Sequence, residues 1–285
     1  MTPVTKPALR YHGAKFRLAP WVISHFPQHR CYVEPFGGAA GVLLRKEPSY
    51  SEVYNDLDED IVNYFRVLRD PAQSARLIEI CQLTPYSRTE FKLAYADQPE
   101  CPIEKARLTV VRATMGFGSA GATFGDTGFR SDTKREYGNP IHVWNKYPAA
   151  IAELNARLSN VLIENKPAIS VMANHDAPTT LHYIDPPYVP QTRERFSRMR
   201  YYRHEMTIDD HETLLEFIKT LKGYVVISGY ESDLYSSILT GWSVKSKSSR
   251  ASGNTGSKMR TECLWINPAA AEALAKQKKE KSCAA

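Results

Sequence analysis

Strand-like apolar runs occur only in the two outer parts of this chain, and from Leu57 to about Ala156 none is found. That gap constrains the fold strongly, because a sheet whose strands come from both sides of it must carry the middle as an insertion. After a helix-like stretch from about Lys15 to Phe26, "CYVEPF" (31–36) reads as a short buried strand. "GGAAGVLLRK" (37–46) then reads as a glycine turn feeding a helix, and "SEVYND" (51–56) as a second strand ending in acid. This β-turn-α-β unit opens a parallel sheet.

Alternation resumes with "NVLIENK" (160–166), a helix over 168–174, "TLHYID" (180–185), a helix from about Ile208 to Leu221, "YVVISG" (224–229), a helix at 232–239, and strands near 242–249 and 261–267. The expected architecture is α/β: a Rossmann-like sheet domain from 1–57 and 158–270, an inserted and mainly helical domain at 58–157, and a basic tail at 271–285. Within the insert, Ile61, Phe65 and Leu68, then Leu77, Ile80 and Cys81, then Leu108, Val111 and Met115 recur at helical spacing. Its glycine-rich segment 116–140 is too long for an ordinary connection and reads as functional or mobile.

A chain of 285 residues with 42% hydrophobic and 24% charged residues can bury a sizeable core. No apolar run is long enough to cross a bilayer and the N-terminus lacks the apolar core of a secretory signal, so a cytoplasmic home is expected. Cysteines 31, 81, 101, 263 and 283 form no C-x-x-C pair and no zinc-like cluster, so neither disulfides nor a metal are expected. The net charge of +6 suits an anionic partner, although "KQKKEK" (276–281) supplies half of it.

In open α/β sheets, ligands bind at the carboxyl ends of strands, and three acid-bearing segments fall there: "EPFGGAAG" (34–41), "NDLD" (55–58) and "DPPY" (185–188). Gly37 and Gly38 let backbone approach a ligand while Pro35 stiffens the strand exit. The G-x-G-x-x-G phosphate fingerprint is absent. Asp56, ending the second strand, can take both hydroxyls of a ribose, so the pair fits a nucleoside cofactor without a pyrophosphate. The competing reading is a plain turn and a helix cap.

At 185–188, two prolines withdraw two N–H donors and leave carbonyl oxygens facing outward beside the Asp185 carboxylate. Such acceptors suit an amine, and Tyr188 offers a flat face for a planar ring. Holding the two hydrogens of a nucleobase amine out of conjugation favours its reactive form, and methyl transfer follows as the natural reaction.

Together, DPPY, the upstream EPFGG, the acidic NDLD and "LRYHGAK" (9–15) resemble the Dam-type DNA adenine N6-methyltransferases of the D12 class, alpha group. The likeness extends to "VVISGYESD" (225–233) and "ECLWINP" (262–268). It implies a fold that binds S-adenosylmethionine and an insert that recognises double-stranded DNA. Carried over by motif position, Tyr11 and Lys15 line the cofactor site, although the family more often has tryptophan at Tyr11 and a second glycine at Ala14. Glu34, Pro35, Phe36, Gly37 and Gly38 hold the methionine portion and Asp56 the ribose, while Glu164 and Asn165 border the cofactor's adenine. Asp185 faces both cofactor and target amine, Pro186 shares that amine through its carbonyl, Pro187 completes the corner, and Tyr188 stacks on the adenine.

A base inside a duplex cannot reach such a pocket and has to be rotated out. Just beyond Tyr188, Arg193, Arg195, Arg198, Arg200 and Arg203 alternate with Phe196, Tyr201 and Tyr202, a mixture suited to phosphates and exposed bases. In the insert, Arg130, Lys134 and Arg135 are candidates for guanine edges or phosphates. The segment 245–260 is basic, free of acids, and reads as a flexible loop. Cytosine N4 or an RNA base as acceptor, a catalytically silent DNA-binding protein on this fold, and a nucleotide-dependent oxidoreductase are the alternatives.

Overall fold

The computed structural model describes residues 4–123, 125–132, 139–192, 202–253 and 256–283. A five-residue helix, α1 (Ala19–Ile23), precedes the first two strands, β1 (Cys31–Glu34) and β2 (Ser51–Asn55). The longer helix expected from about Lys15 shrinks to this because Pro20 suits only a first helical turn. Residues 37–46, expected to enter a helix, form a run of turns instead. Gly38 (φ 46°) and Ala40 (φ 53°) take left-handed backbone, which breaks a right-handed helix at its start.

Among the described residues, five helices then follow without a strand: α2 (Glu59–Arg69), α3 (Pro71–Leu83), α4 (Arg88–Ala96), α5 (Pro102–Met115) and α6 (Pro140–Leu158). Their starts are written locally. Asp58 caps α2, Asp70 caps α3 ahead of Pro71, Ser87 caps α4, and Asn139 caps α6 ahead of Pro140.

The sheet resumes with β3 (Val161–Glu164), α7 (Ala168–His175), β4 (Thr180–Ile184), α8 (Ile208–Ile218), β5 (Tyr224–Tyr230) and α9 (Asp233–Ile238). It closes with β6 (Ser243–Gly253), β7 (Gly256–Ile266) and α10 (Pro268–Cys283). Residues 245–260, read from sequence as a loop, instead lie largely in β6 and β7, which pair antiparallel from Ser243–Ile266 to Gly253–Gly256. Cross-strand hydrogen bonding outweighs a glycine and serine content that locally favours turns.

Seven strands make one sheet in the order β3-β2-β1-β4-β5-β7-β6, parallel except for β7. Both faces are covered. Leu181, Tyr183 and Val226 join Tyr32, Tyr54, Phe65 and the helical block in one apolar cluster, while Ile184, Val225, Ile227 and Trp265 pack with Leu214, Leu215 and Tyr235 on the other face. Among the described residues no helix is long and apolar enough to cross a membrane.

At the amino end of the sheet, a buried charge cluster ties α6 to β2. Arg157 meets the two oxygens of Glu52 at 2.5 and 3.0 Å, and Lys46 reaches the same carboxylate at 2.6 Å. Burial alone would push Glu52 up, but the Arg157 bonds and the Lys46 charge outweigh it and hold the carboxylate below its ordinary range. Glu52→Gln leaves two buried cations without their counter-charge and is expected to cost about 3–5 kcal/mol in urea unfolding. A loss under about 1 kcal/mol would show the cluster to be a solvated surface pair.

Candidate active site

The parallel register ends β1, β2 and β4 along one edge, with Val33 opposite Val53 on one side and His182 on the other. Chain order reverses between β1 and β4, the kind of switch point where a crevice opens. Glu34, Asp56 and Asp185 therefore meet at the mouth of a cavity of about 510 Å³, lined also by Tyr11 and Lys15. Those five lie far apart in sequence and line one cavity.

The turn after β1 is built by contacts that exclude side chains. A methyl on Gly37 would lie 2.2 Å from the ring of Tyr54, and one on Gly38 would meet Tyr11 at 3.0 Å. Gly37 N–H donates to the Asn55 carbonyl at 2.7 Å, and the Tyr54 hydroxyl donates to the Gly38 carbonyl at 2.7 Å, so the turn lies against the end of β2. Asn55, fully buried, donates to the carbonyls of Pro35 and Lys166, both at 2.9 Å, and joins the exits of β1 and β3.

Asp56 is held by backbone N–H groups, Gly38 at 2.8 Å and Asp58 at 2.9 Å, one on each oxygen. Burial nevertheless raises it to about 6, since those two bonds only partly offset the lost solvation. Glu34 accepts from the Tyr32 hydroxyl at 2.6 Å and from Leu43 N–H at 3.0 Å. Burial lifts it further, to about 8, with Asp185 adding to the rise.

Lys15 occupies the centre of the site. Its ammonium lies 3.0 Å from Asp185 Oδ1, 3.1 Å from the Gly13 carbonyl, and 4.6 Å from the centroid of the Tyr188 ring. Burial works against its charge, but Asp185 and then Glu262 outweigh burial and hold it above the ordinary lysine value. Ser228 donates to the same Asp185 oxygen at 2.7 Å, because the β4–β5 register sets it beside the strand end. The Tyr188 hydroxyl donates to Glu262 Oε2 at 2.6 Å and its ring meets that of Tyr230 edge-on at 4.6 Å.

Several sequence assignments land elsewhere. Glu164 pairs with Lys166 at 3.0 Å, and the Asn165 amide donates to the Asp56 carbonyl at 2.7 Å; neither lines the cavity. Pro167, Ala168 and Ile169 do so instead, because the chain turns inward only after Lys166. Arg203, grouped by sequence with the DNA-contacting arginines, stands at the cavity wall and bridges Asp58 at 3.2 Å and Asp60 at 2.6 Å. Arg130 follows the Gly116–Phe129 bridge, with its N–H on the Met115 carbonyl and its own carbonyl accepting from Tyr86. Lys134, Arg135, Arg193, Arg195, Arg198 and Arg200 lie outside the described residues.

Ser228, Tyr230, Asn55 and Glu262 were absent from the sequence-derived site. Glu262 had a usable signal: it is a carboxylate directly before the apolar run "CLWI" and becomes buried.

Residues 11–252 match the family of D12 class N6 adenine-specific DNA methyltransferases. DNA adenine methylase of Escherichia coli (strain K12) is 23% identical over 225 residues, 75% of this chain and 75% of that one. The same values hold for the DNA adenine methylase of Escherichia coli O157:H7. A precorrin 8w decarboxylase of Methanobacterium thermoautotrophicum aligns over 88% of this chain and 89% of its own with 9% identity and a TM-score of 0.33.

Gly37→Ala is expected to destabilise the protein by about 1–3 kcal/mol in chemical denaturation, because the buried Tyr54 ring has nowhere to retreat. Unchanged stability would show that the turn can shift as a body.

Proposed function

We propose how the site works from the premise that this chain belongs to the D12 class of N6 adenine-specific DNA methyltransferases and methylates adenine in DNA. The reading rests above all on one observation. Asp185 Oδ1 accepts a nitrogen, the Lys15 ammonium at 3.0 Å, directly beside the Tyr188 ring, so the corner sets a carboxylate acceptor next to a flat aromatic face, the pairing an adenine amine and its ring would need.

S-Adenosylmethionine fits the adjoining cavity. The turn at Gly37 and Gly38 lies close against Tyr54 and Tyr11 and leaves backbone on the cavity wall, and the donor set matches the group's parts. Glu34 through Gly38 would hold the methionine portion, with Glu34 facing its ammonium, and Asp56 would accept from the ribose hydroxyls. Phe36, Ile169 and Met206 provide apolar wall for the adenine ring. When bound, the cofactor supplies a methyl group on a positively charged sulfur.

The rest of the chemistry falls to the chain. The target adenine leaves the duplex at a cost of about a few kcal/mol, offset by contacts to the protein, and stacks on Tyr188. Asp185 and the Pro186 carbonyl accept the two amine hydrogens, which holds the nitrogen lone pair out of the ring system and directed at the cavity. Ser228 keeps the carboxylate from rotating by occupying one lone pair of Oδ1. The proton released after transfer passes to Asp185, the acceptor already bonded to that nitrogen, and from there to solvent. Lys15 stays charged throughout, since its neighbours hold its ammonium above the ordinary value. Double-stranded DNA as the substrate form is supported by the basic balance of the chain and by the arginines that follow Tyr188 in sequence.

Asp185→Ala is expected to lower transfer of labelled methyl groups to DNA by at least about a hundredfold while S-adenosylmethionine binding and the circular dichroism spectrum persist. Digestion of the wild-type product to nucleosides should yield N6-methyladenine; methylated cytosine, or full activity in the variant, would reject the assignment.

The raised carboxylates add a pH dependence. Each contributes stability to the ligand-free protein below its unfolded value and loses it as pH rises through about 6 for Asp56 and about 8 for Glu34. The cofactor's ammonium and hydroxyls favour the ionised forms, so the rise in melting temperature on adding S-adenosylmethionine should grow between those two pH values. A shift that is flat or shrinks over that range would show that neither carboxylate meets the ligand.

A further inference from the structure

Glu262 is a carboxylate on a sheet strand with 8% of its surface exposed, a costly placement that asks for a reason. Its side chain accepts a hydrogen bond from the Tyr188 hydroxyl at 2.6 Å. The β5–β7 register puts Glu262 opposite Tyr230, and the Tyr230 ring lies edge-on to Tyr188 at 4.6 Å and 75°. Arg260, two residues earlier on the same strand, lies 5.1 Å from the Tyr230 ring. One face of the catalytic corner is therefore fixed by three side chains from two paired strands.

We infer that Glu262 is a positioning residue for the methyl transfer: by anchoring the Tyr188 hydroxyl it fixes the long axis of the ring on which the target base stacks. This rests on the reading of Tyr188 as the stacking surface. The hydroxyl oxygen lies on the axis about which a tyrosine ring turns, so the bond to Glu262 sets where that axis points, and the edge-on Tyr230 ring opposes turning about it. A charge-assisted O–H···O⁻ bond at this length is about twice as strong as a neutral one, so the carboxylate holds the ring where an amide would hold it loosely. The same carboxylate also lies near enough to raise the Lys15 ammonium, second only to Asp185 among its charged neighbours. Glu262 thus acts on both groups that flank the target nitrogen, and it does so without lining the cofactor cavity.

The test is a double-mutant cycle on Glu262→Gln, Tyr188→Phe and the double variant, measured as kcat and KM for DNA with S-adenosylmethionine saturating. Each single change should lower kcat about tenfold with KM and melting temperature little moved, because base orientation is lost while other DNA contacts remain. The double variant should fall no further, since both changes remove one and the same bond. Losses that multiply, or wild-type kcat in Glu262→Gln, would overturn the inference. Should Glu262→Gln fail to fold, Tyr188→Phe decides by itself, and an unchanged kcat there overturns it. A DNA carrying 2-aminopurine at the target position gives an independent signal: its fluorescence in the complex should rise in both single variants as stacking loosens, and no rise would count against the role. If the wild-type protein methylates no adenine at all, the proposed function fails instead, and the two failures are told apart by that control.

Discussion

Parallel pairing of β1 with β2 on one side and β4 on the other holds the site together. Three strands that end at one edge bring three carboxylates, Glu34, Asp56 and Asp185, into a common mouth, and no local feature of any one segment could do so. Backbone geometry sets this edge; the side chains then compete for what solvation remains. Burial raises Glu34 and Asp56, whereas Asp185 is met by Lys15 and Ser228. Of the three carboxylates in the pocket, Asp185 has a counter-charge in Lys15, while burial raises the other two.

The same edge also joins the sheet to its helical insert. Asp60, in the first turn of α2, accepts from Arg112 of α5 at 2.8 Å and from Arg203, which follows the catalytic corner, at 2.6 Å. Burial alone would raise this carboxylate, yet the Arg203 bond and the Arg112 charge outweigh it and hold it below its ordinary value. Tyr202 adds an edge-on contact with His12 at 5.5 Å, so the segment leaving the catalytic corner rests on both the N-terminal turns and the insert. At the opposite end of the sheet, Arg157 and Glu52 give α6 a second anchor. The insert is tied to the rest of the chain by ion pairs at both ends.

Much of this was legible from local chemistry. Alternating apolar runs located the strands within a few residues, and the order of the helices followed from caps such as Asp70 before Pro71 and Asn139 before Pro140. Where local reading failed, a contact distant in sequence had decided. Residues 37–46 look helical by composition, but Tyr54 and Tyr11 press on Gly37 and Gly38 and turn the chain through left-handed backbone. Residues 245–260 look like a loop, but β6 and β7 each supply the hydrogen bonds the other lacks. Which carboxylates meet Arg203, Asp58 and Asp60 at the start of α2, was likewise beyond local reading.

What the sequence determined by itself is therefore the kind of chemistry and the order of its parts. A proline-locked acceptor beside an aromatic ring, a glycine turn after a strand and an acid ending the next strand are properties of neighbouring residues, and neighbours are written side by side. Tertiary structure alone decided which groups meet that corner from afar: Ser228 and Lys15 on Asp185, and Glu262 on Tyr188. Strand order and register choose those partners, and they depend on how the whole chain minimises exposed apolar surface and unmet hydrogen bonds, a sum over many distant pairs that no short stretch contains.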